Sequence, residues 1–172
     1  FYQRLKLNVE LCDELNINIY SFPMKFHPIM GEDRFNRNFL GKHWNRKYVR
    51  ALQAILNVIK GKVGRGSDFF EKAFGKDEQQ FFKILEMPES MILYRYFFEW
   101  LGEEKNYTVS TVAWWNCWQE TFEILNEQEK LELLDIIHQN HFVSIETDNY
   151  NPRYLPLLKF YTNYRDDVVT NG

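Results

Sequence analysis

The sequence predicts a mainly α-helical protein that begins with one helix–strand unit. Apolar residues recur at i, i+4 and i+7 along most of the 172-residue chain, which is the period of amphipathic helices. One short β-prone run, residues 17–22, interrupts this pattern and ends at Pro23. A composition of 45% hydrophobic and 17% aromatic residues indicates a packed interior rather than disorder.

The first element is a helix over residues 1–15, because two apolar rows run along it. One row contains Leu5, Val9 and Cys12, and the other contains Leu7, Leu11 and Leu15. A helix that turns tightly into a strand is half of an α/β unit, and a parallel strand needs neighbours that this chain does not supply. We therefore expect the missing sheet to lie upstream of Phe1, in a longer protein.

A long connector follows, in which prolines, glycines and charges break every apolar period. The clearest helix spans residues 44–60, where Tyr48, Leu52 and Ile55 share one face, and Gly61 ends it. These patterns divide the chain into a terminal helix–strand unit (residues 1–24), a basic and aromatic connector (25–43) and a helical C-terminal domain (44–172).

The helical domain contains further helices with local start and stop signals. Ser67 and Asp68 are expected to cap the first of them, and Asn126 with Glu129 has the spacing of a capping box. Residues 141–145 are predicted to be extended. The predicted helices span residues 67–74, 77–87, 88–101, 108–125, 126–139 and 152–163.

Composition restricts the class of protein. No run approaches 18 apolar residues, which excludes a membrane-spanning helix. Cys12 and Cys117 lie in apolar-periodic segments and are expected to be reduced core cysteines of a cytoplasmic protein. Residues 24–66 contain ten Lys and Arg against two acids, whereas the remainder contains eleven against twenty-two. The connector and the helix after it therefore form a basic block in an acidic chain.

The connector also carries a family resemblance. The run INIYSFPMKFHPI, followed by GKHWNRKYVRALQAIL and later by FFEKAFG and FFKILEMPES, resembles the C-terminal region of a group of bacterial radical S-adenosylmethionine proteins. The resemblance covers about the first hundred residues. It implies that residues 1–24 are the last repeat of a partial (β/α) barrel, and that the helical domain packs on that barrel and shapes or covers its active site.

The resemblance implies a [4Fe-4S] cluster and S-adenosylmethionine for the whole protein. This chain lacks the CxxxCxxC pattern that holds such a cluster, so we expect it to contain no cofactor and to be non-catalytic in isolation. The expected partner is the barrel domain upstream of Phe1. Without that barrel, exposed apolar surface favours dimerisation of the isolated chain.

Nine residues are candidates for binding a substrate or an anion, because cations interleaved with aromatic rings are typical of surfaces that bind phosphate and stack bases. The alternatives are a nucleic-acid or nucleotide-binding module, a helical protein-interaction domain, and a solvated basic face paired with the acidic remainder of the chain. The candidates are Lys25, Arg34, Arg37, Lys42, Trp44, Asn45, Arg46, Lys47 and Arg50.

Other patterns favour structural roles. His27, His43, His138 and His141 lack ligand-spaced partners, so no metal site is predicted. The aromatic stripe of Trp114, Trp115, Trp118 and Phe122 has helical spacing and is expected to pack in the core. The run GKVGRG lacks the spacing of a phosphate-binding loop. Asn45 is expected to cap the helix that follows it.

Overall fold

The computed structural model describes residues 1–100, 111–141 and 150–162, and this part of the chain is mainly helical. It divides into two compact units, residues 1–85 and 86–172. The eight α-helices of the described residues are α1 (Tyr2–Glu14), α2 (Arg46–Val58), α3 (Ser67–Phe74), α4 (Glu78–Glu86), α5 (Glu89–Trp100), α6 (Thr111–Ile124), α7 (Glu127–Gln139) and α8 (Leu155–Thr162).

In unit 1, helix α1 packs against α3. The row of α1 that contains Leu5, Val9 and Cys12 is buried, as the apolar spacing predicted. Tyr2 anchors the first turn: its ring lies 5.4 Å from that of Phe70, and its hydroxyl donates a hydrogen bond of 2.9 Å to the Gly75 carbonyl. These two contacts hold the first turn of α1 against α3 and against the glycine that follows it.

Residues 17–22, which the sequence predicts as a strand, do not form a regular strand in the structure. The described residues contain a single isolated bridge, antiparallel, between Ser21 and Val63. Gly64 allows residues 17–22 to approach the loop that contains Val63, because a Cβ at position 64 would lie 2.5 Å from the Tyr20 ring. A regular strand has to pair with another strand over several residues. Among the described residues of unit 1, residues 17–22 pair only with the short loop around Val63. The connector contains a short 3₁₀ helix, Glu32–Phe35, that the sequence did not predict.

In unit 2, helix α6 packs against α5 and α8. Trp114, Leu133, Ile137 and Leu157 are fully buried in its core. Helix α7 begins with the predicted capping box, in which the Asn126 side chain accepts from the Glu129 N–H and the Glu129 carboxylate accepts from the Asn126 N–H. The extended run predicted at residues 141–145 falls almost entirely outside the described residues.

Candidate functional site

The nine predicted site residues separate into three groups in the structure. Six cations lie exposed on the connector and on the first turns of α2. Trp44 and Asn45 are half-buried just before α2, and Lys47 is buried within unit 1. The exposed cations are Lys25, Arg34, Arg37, Lys42, Arg46 and Arg50.

Lys47 does not belong to an exposed basic surface. Its side chain is 1% exposed, and its Nζ donates a hydrogen bond of 2.8 Å to the Leu85 carbonyl oxygen. Leu85 lies in the last turn of α4, where unsatisfied carbonyl groups favour a positive charge. Lys47 therefore joins α2 to the end of α4 and cannot contact an external ligand without leaving the core.

Asn45 has the structural role that the sequence favoured. It is the N-cap of α2, and its Oδ1 accepts a hydrogen bond of 2.8 Å from the Tyr48 N–H. A capping oxygen satisfies one of the N–H groups that a helix leaves unpaired at its start. Its side-chain oxygen is accordingly occupied by the backbone.

The connector is held mainly by hydrogen bonds to its own backbone. The Lys25 Nζ donates to the Arg37 carbonyl at 3.1 Å, and His27 Nε2 lies 2.8 Å from the Arg34 carbonyl oxygen. The Arg34 guanidinium lies 4.5 Å from the centre of the Phe35 ring, a cation–π contact. These contacts bring residues 25–27 close to residues 34–37 and leave Arg37 and Lys42 at the surface.

Lys25 and Trp44 both line a cleft of about 710 Å³ in unit 1. Its walls come from the start of α1, from residues 23–26, from residues 40–44 and from one face of α2. The Trp44 ring meets the Phe1 ring edge-on, with centroids 5.9 Å apart. The lining residues are Phe1, Arg4, Pro23, Met24, Lys25, Phe26, Leu40, Gly41, Trp44, Val49, Leu52, Gln53, Leu56 and Asn57.

Arg4 is the charged lining residue that sequence reasoning missed. It lies in the first turn of α1 on a polar row, and nothing in the local sequence connects it to Trp44, forty residues later. Within the described part of the chain, its guanidinium has no hydrogen-bond or ion-pair partner. It also lines a second cleft of about 400 Å³, together with Ser21 and Phe22.

Asp13 is a second missed residue, with a structural role. Its carboxylate accepts hydrogen bonds from the Ser67 hydroxyl at 2.6 Å and from the Ser67 and Gly66 N–H groups, so it caps helix α3. The hydrogen bond from the Ser67 hydroxyl, helped by the two N–H groups and by Arg65, lowers the pKa of Asp13 below its usual 3.8. The sequence suggested Ser67 and Asp68 as caps, whereas the capping carboxylate comes from the end of α1.

Cys12 and Cys117 are free in the structure. Cys12 is fully buried, and its Sγ lies 3.4 Å from both the N–H and the carbonyl oxygen of Ile19. Cys117 is half-buried, and burial raises the pKa of its thiol. The described residues contain no group of three His, Cys, Asp or Glu side chains that could hold a metal ion.

The remaining candidates in unit 2 have structural contacts. His138 Nε2 lies 2.9 Å from a carboxylate oxygen of Glu86. Trp114 is fully buried, which confirms its predicted core position, whereas Trp115, Trp118 and Phe122 are half-buried. The Trp118 and Phe122 rings stack with centroids 4.6 Å apart.

Comparison of the chain with models of known protein families, with curated proteins and with solved structures gave no match. No helix among the described residues is long and apolar enough to cross a membrane.

Proposed function

We propose that the chain is the helical C-terminal domain of a radical S-adenosylmethionine protein, packing on the catalytic barrel and shaping or covering its active site. In this proposal residues 1–24 are the last repeat of that partial (β/α) barrel. The observation that carries the proposal is an exposed surface with two parts: an apolar row of α1, and the backbone edge of residues 17–22 that forms no hydrogen bonds among the described residues.

The apolar row of α1 is unpartnered in this chain. Leu7, Leu11 and Leu15 are 56%, 41% and 59% exposed, although the opposite row of the same helix is buried. A helix with apolar rows on opposite sides is typical of a position between two packing layers. Unit 1 supplies one layer, and the second row is free to pack on a sheet.

The backbone of residues 17–22 is bonded along one edge only. The N–H and carbonyl of Ile19 contact the side chains of Cys12 and Asn8, and those of Ser21 pair with Val63. In an extended chain, alternate residues direct these groups to opposite edges. Among the described residues, Asn18, Tyr20 and Phe22 have no backbone hydrogen bond, so the other edge is open to strand addition.

The residues present do not fit an iron–sulfur cluster. The Cys12 sulfur is buried against Ile19, and Cys117 belongs to the other compact unit. The proposal therefore assigns the cluster and S-adenosylmethionine to the barrel domain, and assigns this chain no step of the chemistry. In this proposal the chain packs against the barrel and excludes water from the mouth of the barrel, where the active site lies. Pro23 and Met24, which follow residues 17–22, would be at that mouth.

The first test is the gene upstream of the codon for Phe1. The proposal expects an open reading frame that encodes a β/α repeat pattern with CxxxCxxC within a few hundred codons. A start codon directly before Phe1, or an upstream region without the three cysteines, overturns it.

The second test compares the longer gene product with the 172-residue chain by hydrogen exchange. The Tyr20 and Phe22 amides are expected to be protected only in the longer protein. Leu11→Glu should destabilise the longer protein by about 1–2 kcal/mol, since a half-exposed leucine becomes fully buried. Leu131→Glu is the control, because Leu131 is an exposed leucine, at 63%, on α7 and lies outside the apolar row of α1. Unprotected amides, or equal effects of the two variants, would refute the packing.

A second candidate function is nucleic-acid binding by the connector. The connector exposes three cations, Arg34, Arg37 and Lys42, and two aromatic rings, Phe26 and Phe35, which are 69% and 79% exposed. Backbone phosphates pair with cations, and bases stack on exposed rings. Affinity for labelled single-stranded RNA should fall steeply as salt rises, and Arg37→Gln should reduce that slope by about one. Binding that is absent or insensitive to salt excludes this candidate.

A further inference from the structure

We infer that the cleft of unit 1 binds a small organic anion, consisting of an aromatic ring system joined to one carboxylate or phosphate group. The inference uses the residues that line this cleft. It rests neither on the proposed packing against a barrel nor on nucleic-acid binding by the connector.

The size of the cleft fits a small molecule. Its volume of about 710 Å³ lies within the range of roughly 300–1,000 Å³ that ligand sites occupy. Four separate segments of unit 1 form its walls, so the cleft requires the folded unit and cannot form from the connector alone.

The lining favours an apolar, aromatic body. Nine of the fourteen lining residues are apolar, and two aromatic rings, Phe1 and Trp44, meet edge-on in the wall. Aromatic ligands pair with such rings by stacking or by edge-to-face contact. A sugar would instead lose its hydrogen bonds to water, because the uncharged polar side chains in the lining are limited to Gln53 and Asn57.

The charge of the lining favours an anion. Arg4 and Lys25 contribute two positive charges, and none of the fourteen lining residues is a carboxylate. The Arg4 guanidinium is exposed and without a partner in the described residues, and a guanidinium can bind a carboxylate or phosphate through two parallel hydrogen bonds. The Lys25 ammonium donates one of its three hydrogens to the Arg37 carbonyl and has two further hydrogens to donate. We place the anionic group at Arg4 and the ring toward Trp44.

The test uses the ¹⁵N-labelled 172-residue chain and the indole N–H signal of Trp44, identified by its loss in Trp44→Phe. Two charged probes, 1-naphthyl phosphate and 1-naphthoate, are titrated against their uncharged counterparts, 1-naphthol and 1-naphthalenemethanol. At least one charged probe should shift the Trp44 signal and bind about tenfold more tightly than its counterpart, since hydrogen bonds to charged groups are the stronger ones. Whether naphthyl phosphate or naphthoate binds identifies the anionic group as a phosphate or a carboxylate.

Two matched variants separate the cleft from the general basic surface. Arg4→Gln should weaken the charged probe about tenfold and leave the uncharged one unchanged. Arg34→Gln removes the same charge outside the cleft and should change neither affinity. Both side chains are exposed, so both variants should fold, which circular dichroism checks. No shift of Trp44 at millimolar probe, equal affinity for charged and uncharged probes, or equal losses in the two variants would each overturn the inference.

Discussion

Lys47 provides the sharpest test of the fold of unit 1, because its position was not expected for a lysine on a basic helix. The structure buries the whole side chain and directs its ammonium at the Leu85 carbonyl, 2.8 Å away. Two substitutions separate the packing of the stem from the charged hydrogen bond. Lys47→Ala removes both, and Lys47→Met retains most of the apolar length.

The magnitudes follow from the buried atoms. Alanine deletes three buried methylene groups at about 0.8 kcal/mol each, and the Leu85 carbonyl loses a charged donor. Part of this loss is offset, since a buried ammonium no longer has to be desolvated. We expect Lys47→Ala to lower the free energy of unfolding by about 2–4 kcal/mol. Lys47→Met should stay within about 1.5 kcal/mol of the wild type, because it fills the same space.

The assay is urea unfolding followed by far-ultraviolet circular dichroism, with linear extrapolation of the unfolding free energy to water. Arg46→Ala is the control, because Arg46 is the exposed neighbour on the same turn of α2 and should cost about 0.5 kcal/mol or less. If Lys47→Ala costs no more than Arg46→Ala, the lysine is exposed in solution. The burial of Lys47 would then be wrong, and Lys47 would belong with the exposed cations of the connector and α2.

Three further predictions concern hydrogen bonds that hold helix ends in unit 1. Asn45→Ala should lower the free energy of unfolding by about 1 kcal/mol through loss of the α2 cap, measured by urea unfolding, and Asn45→Ser should recover most of it. Asp13→Asn should flatten the acid end of the stability curve: because the folded pKa of Asp13 is lowered, its contribution is complete above the ordinary value of 3.8 and is lost as pH falls through the folded pKa. Equal slopes of wild type and Asp13→Asn below pH 3.8 would contradict this assignment. Tyr2→Phe should cost about 1 kcal/mol by leaving the Gly75 carbonyl without its donor, and a thermal melt unchanged from wild type would show that this bond does not form.

The helices could be predicted from the sequence where their signals are local. The Asn126 and Glu129 capping box and the Asn45 cap involve residues three apart, so the sequence pattern contains both partners. The cap of α3 could not be found in this way. Its acceptor, Asp13, lies 54 residues before Ser67, and only the packing of α1 on α3 brings the two together.

The candidate site was predicted in part. Trp44 and Lys25 belong to the set chosen for aromatic and basic character, and both line the cleft. Arg4 was not among the predicted site residues, because charge alone does not show which other segment a helix face meets. A signal for the burial of Lys47 was present: it lies four residues before Ala51 and eight before Ile55, on the buried side of α2.

The contact between Cys12 and Ile19 allows the reactivity of the Cys12 thiol to report when residues 17–22 separate from α1. The Cys12 sulfur is fully buried and touches the backbone of Ile19 directly, so an alkylating reagent reaches it when residues 17–22 detach from α1. Cys117, which is half-buried, supplies an internal reference in the same sample. The alkylation rate of Cys12 in the folded chain, divided by its rate in the urea-unfolded chain, therefore reports how often this segment opens.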